Sequence, residues 1–237
     1  MELPSSITGI LWIGFGGMVL GTAIIYFLSM QLKATEKYHA YTAMAITSIA
    51  AMAYYAMANS QAIFTVAGKS LFLGRYIDWV ITTPLLLLSL CFLAYPASKD
   101  GESLRQKLGV IASAVFADIV MIVTGAFANA STDSGVSNFW YAIGCLAFIV
   151  ILAIMYGPIR QTALKTGASA GKLYTNMLNY LMVLFFIYPI VWILGTSGNG
   201  TIDLKPEVAI YTVLDLLAKV VFGIAIVVSI SNAKSTE

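Results

Sequence analysis

Apolar residues do not alternate with polar ones along this chain; they run in seven blocks, near residues 7–30, 38–58, 72–95, 108–129, 139–157, 173–194 and 208–230. Each block is close to the roughly 20 residues that a helix needs to cross the hydrocarbon of a bilayer. The breaks between them collect charge, Pro and Gly, and the longest, around 167–171 and 195–205, read as connectors. The pattern predicts an all-α membrane protein with seven transmembrane helices forming one domain over residues 1–237. No basic stretch or small-residue cleavage pattern leads the first block, so it reads as a first span and not as a removable signal.

Composition agrees: 59% of residues are hydrophobic, 10% are charged and mean hydropathy is +0.87, far from the balance of a soluble domain. The partner implied is the lipid bilayer of a cell membrane, crossed several times. Loop charge gives orientation. Lys33, Lys37, Lys99, Arg105, Lys107, Arg160, Lys165, Lys172 and Lys234 fall on one side, against Lys69 and Lys205 on the other. Basic loops stay cytoplasmic, so the N-terminus is expected outside and the C-terminus inside. These residues are scattered over short loops, so the net charge of +2 implies no nucleic acid. Cys91 and Cys145 sit in different apolar blocks without metal-ligand spacing, which suits small buried residues; no metal site and no enzyme is expected.

Five charged residues interrupt the apolar blocks: Arg75, Asp78, Asp118, Asp215 and Lys219. An ionisable group near the bilayer centre costs about 2.5–3.5 kcal/mol even on mild scales, so such groups face the bundle interior and mark functional paths. Lys219 lies mid-span among Leu214, Leu216, Leu217, Val220 and Val221, too deep to snorkel to an interface. Asp215 precedes it by four residues, one helical turn, where a carboxylate serves a cation as counter-ion. On the third block Arg75, Asp78, Thr82 and Ser89 follow helical spacing and form one stripe. From Asp78 to Ser89 that stripe spans roughly 16 Å, the length of a proton route from mid-membrane toward one side.

Arg75 and Lys219 against Asp78 and Asp215 suggest a closed, neutral cluster of four. Asp118 is then left over and is expected to stay protonated or to bond a hydroxyl such as Thr83. A buried lysine beside a carboxylate suits imine formation with an aldehyde, which these residues alone do not identify.

The run RYIDWVITTPLLLLS from Arg75 to Ser89 resembles the third helix of the microbial rhodopsins, and LDLLAKVVFG from Leu214 to Gly223 resembles their retinal-binding segment. Tyr54, Ala117 and Asp118 with Met121 and Gly125, Trp140, and Tyr188-Pro-Ile-Val-Trp192 match as well, so the resemblance covers the whole chain. It implies all-trans retinal bound covalently as a Schiff base to Lys219, Asp78 as counter-ion and proton acceptor, and Asp215 as second counter-ion. Arg75 would lie between them and the outside. Trp79, Thr83, Leu86, Met121, Gly125, Tyr141, Phe185, Tyr188, Pro189 and Trp192 would line the chromophore pocket, with Tyr54 and Asp118 close by.

Departures from the family pattern sharpen the reading. Ser89 stands where outward proton pumps usually carry a carboxylic proton donor, Phe185 where the family usually has tryptophan, and Ser197 in place of one of two release carboxylates. Glu207 matches the other, though Pro206-Glu207 is also an ordinary acidic helix start. The resemblance makes an outward, light-driven proton pump the expected function, with protons as its cargo. A photosensor signalling to a partner protein is the alternative, and an inward proton pump a lesser one. Chloride and sodium pumps differ at Asp78 and its triplet. A homo-oligomer of unspecified order is expected, and Tyr141 is expected to block the opening at which some relatives bind a carotenoid.

Overall fold

The computed structural model describes residues 3–66, 68–95 and 101–232, without the side chains of 101–106. Lys99 and Lys234, and the side chain of Arg105, lie outside the described residues. Among them run seven long helices: α1 (Ser5–Ser29), α2 (Lys37–Ala58), α3 (Leu73–Ala94), α4 (Gly101–Ala130), α5 (Ser134–Thr166), α6 (Ala168–Leu194) and α7 (Leu204–Asn232). Six of them are apolar and long enough to cross a membrane. The exception, α2, has the 22 residues of α3 but is rich in Ala and Tyr. It packs between α1 and α3, and His39, Thr47 and Tyr54 on it are buried against protein.

Most helices begin or end beyond the apolar blocks, because a helix continues into the interfacial layers where polar residues are tolerated. The expected connector at 167–171 shrinks to Gly167, whose φ of 142° interrupts the helix, while Ala168–Leu194 is already helical. The sequence pattern also misses an antiparallel hairpin, β1 (Phe64–Val66) with β2 (Lys69–Leu71), which joins α2 to α3. Three-residue strands are too short to display an alternation.

Two helices widen into π turns. In α5 the turn Met155–Ile159 holds Pro158, which cannot donate to the ladder, and Tyr174 of α6 donates to the Met155 carbonyl at 2.7 Å. In α7 the turn Leu216–Val221 holds Lys219 itself, and Tyr180 donates to the Leu217 carbonyl at 3.0 Å. Such bulges occur often at functional sites. On α1, Gly17 and Gly21 allow this wide turn to approach: a Cβ at either would come within 2.6 Å of Leu216 or Val220. α3 is the central helix, buried along Arg75, Asp78, Trp79, Thr82, Leu86 and Ser89.

Candidate functional site

Lys219 is 1% exposed, and its surroundings follow from three helices meeting at its depth. Its Nζ donates to Asp78 Oδ2 of α3 and lies 3.3 Å from Asp215 Oδ1, one turn earlier on α7. A protonated lysine between two carboxylates leaves one net negative charge.

The two carboxylates are not equivalent. Asp215 accepts from Tyr54 of α2 at 2.9 Å, Trp79 Nε1 of α3 at 3.0 Å and Tyr188 of α6 at 2.8 Å, besides Lys219. Asp78 has, besides Lys219, the Thr82 hydroxyl at 3.2 Å, which also sits 2.9 Å from the Asp78 carbonyl. One hydrogen serves both acceptors, so Asp78 is held by far less. Donors fixed on a carboxylate stabilise its ionised form. Asp215 thus holds three fixed donors besides Lys219, and Asp78 a single shared one.

Arg75 corrects the expectation of a closed cluster of four. Its guanidinium faces Glu207, with Nη1 3.8 Å from Oε1, and lies 4.3 Å from the Tyr211 ring and 4.9 Å from that of Phe72. Among the described residues it forms no ion pair with Asp78 or Asp215, because these rings hold it one layer further along. Glu207 is at once the acidic first turn of α7 and a buried partner: its Oε2 accepts from the Thr196 N–H and hydroxyl, both at 2.7 Å. Ser197 makes no such contact among the described residues. Signals for the Thr196 bonds are absent from the sequence, since they depend on how the connector folds back.

Asp118 meets Thr83 as expected, at 2.6 Å. The Thr83 hydroxyl also lies 2.8 Å from the Trp79 carbonyl. With one hydrogen for two acceptors, both contacts are satisfied when Asp118 carries a proton and donates it to Thr83.

Beside the lysine lies an apolar cavity whose walls include Trp79, Thr83, Met121, Gly125, Tyr141, Phe185, Tyr188, Pro189 and Trp192. Trp79 and Tyr188 belong to both sites, so the cavity starts where the polar cluster ends. Leu86, expected in its wall, is not part of it: the α3 side of the cavity ends at Thr83, and Leu86 is packed into the core. Tyr54 and Asp118 also stand behind the wall, one bonded to Asp215 and the other to Thr83. Tyr76, Ile122, Gly144, Cys145, Phe148 and Tyr211 complete the lining and were not anticipated. They come from four helices, Tyr76 from α3, Ile122 from α4, Gly144, Cys145 and Phe148 from α5 and Tyr211 from α7, and no motif joins them in the sequence. Tyr141 stacks on Trp192 at 4.7 Å and donates to the Pro189 carbonyl at 3.1 Å. Tyr76 accepts from Trp192 and Asn129, both at 3.1 Å, which fixes the far wall. At the other end Ser89 is buried and donates to its own Leu85 carbonyl at 2.9 Å.

A family described as Bacteriorhodopsin-like protein matches residues 5–233. Bacteriorhodopsin of Haloterrigena sp. (strain arg-4) is 36% identical over 228 residues, covering 92% of this chain and 86% of that protein. The crystal structure of thermophilic rhodopsin from Rubrobacter xylanophilus superposes with a TM-score of 0.89 at 37% identity, over 97% of this chain and 99% of that one. The rhodopsin of Coccomyxa subellipsoidea, described as a light-driven proton pump, gives 0.85 at 33% identity, over 96% and 98%.

Proposed function

Since the chain belongs to the bacteriorhodopsin-like family of light-driven, retinal-binding membrane proteins, we propose that it pumps protons outward, with retinal on Lys219 and Asp78 as acceptor. Retinal fits the residues present: a buried amine between two carboxylates adjoins an apolar cavity walled by aromatic rings. When bound, it supplies absorption of visible light and photoisomerisation. Trp79, Tyr188, Trp192 and Phe185 would hold it and exclude water, and Gly125 leaves room that a side chain would fill.

The observation that carries the reading is the uneven support of the two carboxylates. The proton held on Lys219 Nζ passes to Asp78 Oδ2, its hydrogen-bonded neighbour. Asp215, fixed by Tyr54, Trp79 and Tyr188, remains the charge that retains the cation. Direction is supported by an asymmetry of polar groups. Toward the hairpin end, Arg75, Tyr211 and Glu207 continue the buried polar file. Toward the basic loops, Leu86, Leu87 and Leu90 pack around two hydroxyls, Thr82 and Ser89, that are bonded to their own helix. Proton loss is thus easier away from the basic loops, which are the cytoplasmic side.

The test is the sign of the light-induced pH change in a suspension of retinal-supplied cells. Acidification abolished by a protonophore is the expected result. Alkalinisation would mean inward transport, and a photocycle without any pH change would favour the sensor, the reading that the missing carboxylate at Ser89 invites.

Ser89 supports a second experiment. With a hydroxyl there, return of the proton to Lys219 Nζ draws on the bulk, so recovery of visible absorbance after a flash should slow as pH rises. In Ser89→Asp a carboxylic acid in the same buried place should speed recovery, within the roughly 10²–10⁴-fold that a positioned acid contributes, and flatten its dependence around neutral pH. Fast recovery with a flat profile in the native protein would contradict this account of the cytoplasmic half.

A further inference from the structure

The chain has one histidine, and the transport path described so far gives it no task. His39 is the third residue of α2, 6% exposed, and its Nδ1 is buried without a hydrogen-bond partner. An unpartnered buried nitrogen is destabilising, and its presence asks for a reason.

Its position supplies one. The imidazole lies between the Tyr38 ring, 4.2 Å away, and the Phe92 ring of α3, 6.1 Å away. Phe92 is three residues, one helical turn, beyond Ser89. On α2 the buried positions His39, Ala43, Thr47, Ala50 and Tyr54 follow steps of four or three and share one face. That stripe ends at Tyr54, which donates to Asp215, and its midpoint Thr47 is fully buried. His39 is therefore the outermost polar group of an interior face that reaches the counter-ion. Outside it stands Glu36, whose carboxylate reaches the Lys33 N–H at 3.3 Å. The titratable groups facing His39 are Glu36 and Tyr38. α3 presents the Phe92 ring, and Ala40 and Ala43, neighbours of His39 on α2, share an apolar cluster with Ile25 of α1, Leu32 and Val227 of α7.

We propose that His39 is the intake relay for the proton that returns to Lys219, taking it from bulk water at the cytoplasmic end of α2. The inference rests on the outward reading for its direction. A proton from cytoplasmic water, gathered near Glu36, adds to the lone pair of the unpartnered imidazole nitrogen. The imidazolium then releases a proton inward along Ser89 and Thr47 toward Lys219 Nζ and becomes neutral again. One proton enters and one leaves, with no change of oxidation state. Histidine suits the task because one ring nitrogen can take up a proton while the other gives one up.

His39→Phe keeps a ring between Tyr38 and Phe92 but cannot carry a proton. Flash recovery of the visible band should slow at least about tenfold, the lower part of what a positioned acid–base group contributes, with the dark spectrum unchanged. Azide, a small weak acid, should restore the rate in the variant and scarcely alter the native protein. A packing role predicts the opposite, an unslowed Phe variant, and that result overturns the relay. A readout without retinal follows from the single histidine: ¹⁵N NMR of the pigment-free protein reports one imidazole. It should titrate with bulk pH, and in the pigmented protein it should change protonation under light. An imidazole held in one state in both experiments overturns the proposal even if the Phe variant does not fold. A native pH trace of the wrong sign defeats the transport reading alone, since recovery rates do not depend on direction.

Discussion

Lys219→Ala yields a protein without a visible absorption band when expressed with retinal and purified. No other lysine lies mid-span, so no second amine can take over the covalent link. The same change leaves Asp78 and Asp215 facing each other without a cation. Breaking a buried pair in this way destabilises by roughly 3–5 kcal/mol, so loss of colour has to be separated from loss of fold. The double variant Lys219→Ala with Asp78→Asn removes one negative charge with the positive one and should fold better while staying colourless. Absorption spectra with far-ultraviolet circular dichroism decide the matter. A helical Lys219→Ala protein with its visible band intact would remove Lys219 from the site.

Asp78→Asn should shift the visible band to longer wavelength and reduce light-driven outward transport to background. An amide in place of the carboxylate withdraws the nearer negative charge from the Lys219 cation, which raises the ground state more than the excited state. It also removes the oxygen able to accept the Nζ proton. Asp215 lies 3.3 Å from Nζ and keeps the cation paired, so the variant should retain pigment and fold. Asp215 should not substitute as acceptor, because three fixed donors already occupy it. The spectrum of the purified protein and the pH trace of the cells are independent measurements. Pumping unchanged in the Asn variant would exclude Asp78 as acceptor.

Much of this was legible in the chain because a bilayer punishes stray polarity. Each mid-span charge had to have a partner, and helical spacing placed Asp215 beside Lys219 and Asp78 in line with Ser89. What the pattern could not give was the identity of partners on other helices. Glu207 in place of the counter-ions as the ion-pair partner of Arg75 depends on where Phe72 and Tyr211 hold the guanidinium, a tertiary fact without period or motif. The π turn around Lys219 was invisible for the same reason, since nothing local in the segment from Leu216 to Val221 announces a wider turn. Apolar runs likewise underestimated α4 and α5, whose ends extend where hydropathy falls and backbone hydrogen bonding alone continues the helix.

The donors that converge on Asp215 come from α2, α3 and α6, and the acceptor from α7, so one carboxylate ties four helices into a common joint. Such a joint makes colour a strain gauge. Any tilt of α6 lengthens the Tyr188 bond before it disturbs the chromophore walls further out, and the charge distribution beside Lys219 changes at once. Thermal softening of the bundle should therefore announce itself as a spectral drift below the temperature at which helix content is lost, and substitutions that stiffen α6 far from the cavity should delay that drift.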